Sequence, residues 1–215
     1  MLLAGASALV ATAWPVAWRV SRHLVTLVHE GSHGVVALLC GRRLAGIRLH
    51  SDSSGLTVSK GRPRGAGMVA TFFAGYAGPA VVGLGAAWVL GTGHAAAVLW
   101  GVLVVLGWML LQIRNLYGLW VVLASGLVLG AATWWLSPGA QSVAAHVLTW
   151  FLMLAAPRAV WGLQVERVRG RGGASDADQL ARITVLPGLM WVLAFFVVTI
   201  GALALGASLL LDRSA

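Results

Sequence analysis

Beyond residue 67 the chain is built almost wholly from long apolar runs, at about 68–90, 95–113, 116–136, 143–163 and 186–211. A run of about 18 or more such residues is long enough to cross a bilayer as a helix. Inside hydrocarbon only a helix or a closed barrel satisfies its own backbone. The joints between the runs are short: Gly91-Thr92-Gly93-His94 and Ser137-Pro138-Gly139-Ala140 carry no full charge, and Arg114-Asn115 is a single basic turn. Two earlier runs, about 2–18 and 24–40, bring the expected number of spans to about seven. The first reads as a retained helix and not as a signal peptide, because its start is not basic, Pro15 interrupts it, and another apolar run follows at once.

Composition agrees with an all-α polytopic membrane protein whose solvent is the lipid bilayer. With 59% hydrophobic and 10% charged residues in a chain of 215, a soluble fold has too little interior to hide its apolar surface. Residues 1–215 read as one integral membrane domain. A net charge of +9 raises the question of nucleic acid, but the basic residues sit in a few loops without a binding motif, so they read as topology signals and no nucleic-acid partner is expected. With the loops at 44–60 and 164–184 and Arg114 on the cytoplasmic side, about twelve of the 15 basic residues lie inside. That expectation puts the N-terminus inside and leaves Arg19, Arg22 and Arg213 outside. The 11 tryptophans cluster partly near span ends, as interfacial anchors do. The one cysteine, Cys40, excludes an internal disulfide and a cysteine-based zinc cluster, and is expected to be buried at a helix end.

Chemistry enters at His29-Glu30-Gly31-Ser32-His33, inside the run 24–40. Histidines at i and i+4 lie one turn apart on one helix face, so both imidazoles can reach one metal ion while the glutamate between them faces water activated there. Zn2+ suits two neutral nitrogens and one oxygen ligand, because a coordination position stays open for a nucleophilic water. Glu30 is then the general base, with His29 and His33 as metal ligands. Glu30 is also the only acidic residue among the first 51. An ionisable group within an apolar segment is costly unless paired or metal-bound, which favours function over a polar trio that merely links helices.

After this segment, Ile47-Arg48-Leu49-His50 and Leu56-Thr57-Val58-Ser59 alternate on either side of Ser51-Asp52-Ser53-Ser54-Gly55. Alternation around a turn-rich cluster predicts a β-hairpin over about 44–60, lying at the membrane. His50 and Asp52 read as hairpin and turn residues ahead of ligands. A strand of this hairpin can pair with an extended peptide by edge addition.

The zinc trio in an early helix, the polar hairpin after it, and Ala74-Gly75-Tyr76-Ala77-Gly78-Pro79-Ala80 opening the next helix, with Pro79 expected to break or kink its start, together resemble the site-2 protease family of intramembrane zinc metallopeptidases. The resemblance covers about residues 20–90, and the zinc motif is its most specific part. It implies hydrolysis of peptide bonds in or near transmembrane segments of membrane-protein or membrane-peptide substrates. It also implies an integral protein of a bacterial plasma membrane.

The later half departs from the family pattern. Asn115-Leu116-Tyr117-Gly118 starts a helix in about the right place, but no aspartate-glycine pair follows, and no acidic residue occurs between Asp52 and Glu166. Ser175-Asp176-Ala177-Asp178, ahead of Thr184, Pro187 and Trp191, resembles a second block found in a divergent bacterial branch. Ser175-x-x-Asp178 is also a capping-box pattern, so one aspartate can cap a helix while the other coordinates metal, or both can be structural. Asp178 is slightly preferred over Asp176 as third ligand because it lies farther into the helix, and Asn115 is a candidate donor to the transition state. The expected function is a zinc-dependent intramembrane endopeptidase. The competing readings are a non-catalytic scaffold or pseudoprotease that keeps the metal motif, and a zinc hydrolase of lipid or another small molecule.

Overall fold

The computed structural model describes residues 2–170 and 175–211; Arg171 and Arg213, both in the charge count, lie outside them. Eight helices and one hairpin follow in the order α1 (Leu2–Ala13), α2 (Pro15–Leu39), β1 (Arg43–Leu49), β2 (Gly55–Lys60), α3 (Ala66–Gly91), α4 (Ala95–Gln112), α5 (Leu116–Trp135), α6 (Pro138–Val168), α7 (Asp176–Ile183) and α8 (Gly188–Leu211). Five of them, α3, α4, α5, α6 and α8, are long and apolar enough to cross a membrane. The protein is an integral membrane protein, and in place of the expected count of about seven spans the described residues contain five candidate spans.

Two local features account for the difference. The first apolar run does not continue to residue 18: Trp14 is extended and Pro15 starts a new helix, which leaves α1 with 12 residues, about 18 Å at 1.5 Å per residue. That is too short for a hydrocarbon core of about 30 Å. Helix α2 has 25 residues but takes in Arg19, Arg22, His23, Thr26, His29, Glu30 and His33, too polar a set for a lipid-exposed span. Arg19 and Arg22 are therefore helical residues and not an interhelical loop. Cys40, placed just past α2, is exposed and not buried.

Helix α3 is the hub, with its most extensive contacts to α2, α6 and α8. Its small residues permit this. A Cβ on Gly83 would press on Met153 of α6, and one on Gly78 would collide with the Ser32 hydroxyl of α2. Close backbone approach of this kind is how helices associate where lipid is as apolar as their side chains. Pro79 lies well inside α3, buried, and not at its start.

The hairpin forms where expected. β1 and β2 pair antiparallel, with Ile47 opposite Thr57 and Leu49 opposite Gly55, and a bulge between Leu44 and Gly46. Gly46 has φ +145°, and a side chain there would run into Arg114. The joint at residues 113–115 closes on β1 from its other side: Ile47 bridges Ile113 in parallel, and the Arg114 N–H donates to the Ile47 carbonyl at 2.9 Å. Ile47 and Leu49 are buried with Leu27, Met109 and Val122 in one core cluster.

Candidate metal and active site

Helix periodicity places His29, Glu30 and His33 toward the protein and not toward lipid, with Glu30 4% and His33 7% exposed. The two histidine Nε2 atoms stand 3.0 Å apart, and the rings meet edge to face. His33 Nδ1 lies 2.6 Å from the Thr71 carbonyl of α3. A carbonyl only accepts, so Nδ1 carries a proton toward Thr71, and Nε2 is the ring atom that faces inward. Tyr76 covers His29, its ring edge-on at 4.8 Å, and is itself stacked on Phe195 of α8.

Helix α7 brings in a carboxylate from far along the chain. Asp176 Oδ2 lies 3.1 Å from His29 Nε2 and 3.2 Å from His33 Nε2. It is buried and has no hydrogen-bond donor. Burial pushes this carboxyl up, but the facing His33 and His29 overrule burial and hold it well below the usual carboxylate range. Three donor atoms thus form a triangle with edges of 3.0, 3.1 and 3.2 Å. Ligand atoms on a tetrahedral ion with bonds of about 2.0–2.1 Å are about 3.3–3.4 Å apart, so the triangle fits such an ion with shifts of a few tenths of an ångström. A buried carboxylate oxygen without a hydrogen-bond partner, grouped with two imidazole nitrogens, is a donor set that suits a divalent cation.

Asp178 has a different place. Its carboxylate accepts from the Ser175 hydroxyl at 2.5 Å and the Ser175 N–H at 3.3 Å, completing a capping box at the start of α7, and it pairs with Arg167 of α6. The two aspartates therefore divide the work that the sequence left open: Asp176 faces the histidines and Asp178 caps. The rest of the block supports α7, since Thr184 ends it and accepts from Trp191 Nε1 at 3.2 Å.

Glu30 approaches the same point from α2. The ligand atoms of His29, Glu30 and His33 all lie within 4.8 Å of one another, a group able to hold a metal ion. Glu30 Oε2 accepts from Thr57 Oγ1 of β2 at 2.6 Å. Asn115 is not brought to this cluster by its hydrogen bonds. Its Nδ2 donates to the Leu49 carbonyl at 2.6 Å and its Oδ1 accepts from the Leu49 N–H at 3.2 Å, so the amide clamps β1 as a neighbouring strand would. Asp52 stays in the hairpin turn, where the Ser54 hydroxyl and N–H hold its carboxyl below its ordinary value.

Sequence reasoning missed four contributors. Thr57 is one, visible only as an inward position of β2. The Thr71 carbonyl leaves no signal in sequence, because any residue offers one. Gly75 stands in the sequence only as part of the segment 74–80, yet a Cβ there would collide with His33 and stand 2.7 Å from Asp176 Oδ2. Arg167 is in sequence one of several basic residues in the loop at 164–184, and its guanidinium joins α6 to the α7 cap and lies against Gly188.

Neither a curated protein nor a solved structure matches the chain. A family model described as Peptidase M50B-like matches residues 2–206, in agreement with the resemblance to site-2 proteases read from the zinc motif and the segment 74–80. The match covers nearly the whole chain, including α7 with Asp176 as well as α2 with the two histidines. The chain belongs to the Peptidase M50B-like family.

Proposed function

We propose that the protein is a zinc-dependent intramembrane endopeptidase of the site-2 protease type, with His29, His33 and Asp176 holding the metal and Glu30 as general base. The observation that carries this reading is the convergence of three donor atoms within 3.0–3.2 Å of one another beside the Glu30 carboxylate. When bound, zinc supplies Lewis acidity at that point and makes a water nucleophilic near neutral pH. The chain's own residues do the rest. His33 keeps its proton on Nδ1 for Thr71, which fixes the ring's orientation. Glu30 takes a proton from water at one carboxylate oxygen and returns it to the leaving amine. Asn115 acts through β1, whose inner position it secures, and not as a donor to the reacting carbonyl.

The substrate is read as an extended peptide from a membrane protein. With residues 113–115 closed on β1, the outer edge of β2 is the side of the hairpin toward which a peptide strand can add. By the positive-inside tendency, the hairpin, Arg114 and the segment before α7 face the cytoplasm.

The test is Glu30→Gln, which keeps shape and ligands but removes the base. It should retain zinc and lower cleavage of a membrane-embedded peptide by at least about a hundredfold. Full activity in Glu30→Gln sinks the base assignment. A wild type that holds zinc and cleaves no such peptide establishes the scaffold reading instead.

A further inference from the structure

The hairpin is fastened to α2 along one stripe, at positions i, i+4 and i+8. Arg22 Nε donates to Ser53 Oγ at 2.5 Å, and its Nη2 to the Asp52 carbonyl. Thr26 Oγ1 donates to the Ser53 carbonyl at 2.8 Å. At the third position the direction reverses. The hairpin side chain Thr57 reaches α2, with its hydroxyl 3.0 Å from the Glu30 carbonyl and 2.6 Å from Glu30 Oε2. The hydroxyl has one proton for two acceptors. The shorter distance falls in the range of about 2.5–2.7 Å typical of a hydroxyl donating to a carboxylate, the stronger of the two bonds.

We infer that Thr57 is a positioning residue for Glu30: it holds one carboxylate oxygen and leaves the other for proton transfer, an inference that rests on Glu30 being the base. Two features of β2 make the hold possible. Thr57 is fixed in register by Ile47, which is fully buried and tied from behind by the Arg114 N–H. Two residues earlier on the same strand face, Gly55 offers no side chain, and the carboxylate lies against it. A Cβ on Gly55 would stand 2.5 Å from Glu30 Oε1. An extended carboxylate pressed against bare strand and held at one oxygen has few orientations left, and pre-organisation of this kind is what a catalytic base requires.

The test compares Thr57→Val, which keeps the branched shape and strand preference but removes the donor, with Thr57→Ser, which restores the donor. Thr57→Val should lower kcat about tenfold or more with KM and zinc content unchanged, and Thr57→Ser should recover most of the loss. The second readout needs neither metal nor substrate. Glu30 and Glu166 are the only glutamates, so a Glu166→Gln protein labelled with 13C-carboxyl glutamate reports Glu30 alone in the infrared. In the zinc-free protein the carboxylate stretch should shift in Thr57→Val and return in Thr57→Ser. Either readout unmoved in Thr57→Val, or Thr57→Ser behaving as Thr57→Val does, overturns the inference. Should the wild type cleave nothing, the peptidase reading fails, and the infrared band by itself still decides whether Thr57 holds Glu30.

Discussion

Helices α2 and α3 are nearly equal in length, 25 and 26 residues, and pack against each other, yet they solve opposite problems. α3 is apolar throughout and qualifies as a membrane span, whereas α2 carries the whole early complement of ionisable groups and does not. α2 can keep its ionisable groups inside the protein because α3, the hairpin and α7 pack around it and partner its polar groups. α3 supplies no charged side chain. It contributes a carbonyl at Thr71, a bare backbone at Gly75 and Gly78, and the Tyr76 ring. A helix rich in ionisable groups within a membrane protein thus needs a neighbour whose value lies in what it lacks.

The largest expected effect lies on the ligand side of this contrast. His33→Ala and Asp176→Ala should each reduce zinc from about one ion per chain to a small fraction after mild chelator washing, with peptide cleavage lost in parallel, because an open site has no ligand to spare. Elemental analysis of the purified proteins decides the matter. Wild-type zinc content in either variant removes that residue from the ligand set.

A smaller effect is expected on the α3 side, where no ligand resides. Gly75→Val adds no charge but forces a branched side chain against His33 and Asp176, and should weaken zinc binding about tenfold to a hundredfold, the scale seen when groups supporting metal ligands are disturbed. Gly85→Ala, on the same helix and facing open space, is the control and should leave zinc binding as it is. Equal zinc affinity in the two variants would mean that α3 only packs and does not shape the site.

The smallest effect separates two neighbouring aspartates. Asp178→Ala removes the capping-box carboxylate and should cost about 1 kcal/mol of stability while the metal stays bound. Thermal unfolding in detergent, read beside zinc content, checks both halves. Loss of zinc from Asp178→Ala to the extent expected of Asp176→Ala would show that the cap and the ligand role cannot be divided between them.

Much of the architecture could be read in advance because hydrophobic length and alternation are local properties. The runs at 68–90, 95–113, 116–136, 143–163 and 186–211 became α3, α4, α5, α6 and α8, and the alternation around residues 51–55 became β1 and β2. The two N-terminal runs misled for a physical reason. Window hydropathy counted residues 15–18 with the first run, whereas Pro15 starts a helix that carries them into α2 with Arg19 and Arg22. Pattern also recognised Ser175-x-x-Asp178 as a cap, but preferred the capping residue as ligand, since position along a helix says nothing about which face meets a partner.

The sequence alone determined that this chain lives in a membrane, that His29, Glu30 and His33 share one helix turn, and that a hairpin follows them; each depends on spacings of a few residues. Only tertiary structure decided that Asp176 meets histidines more than 140 positions earlier, that Asn115 is spent on Leu49, and that Thr57 reaches Glu30. Those meetings arise where α2, α3, β2 and α7 pack together, and the atoms they join belong to common residue types whose partners no local pattern records.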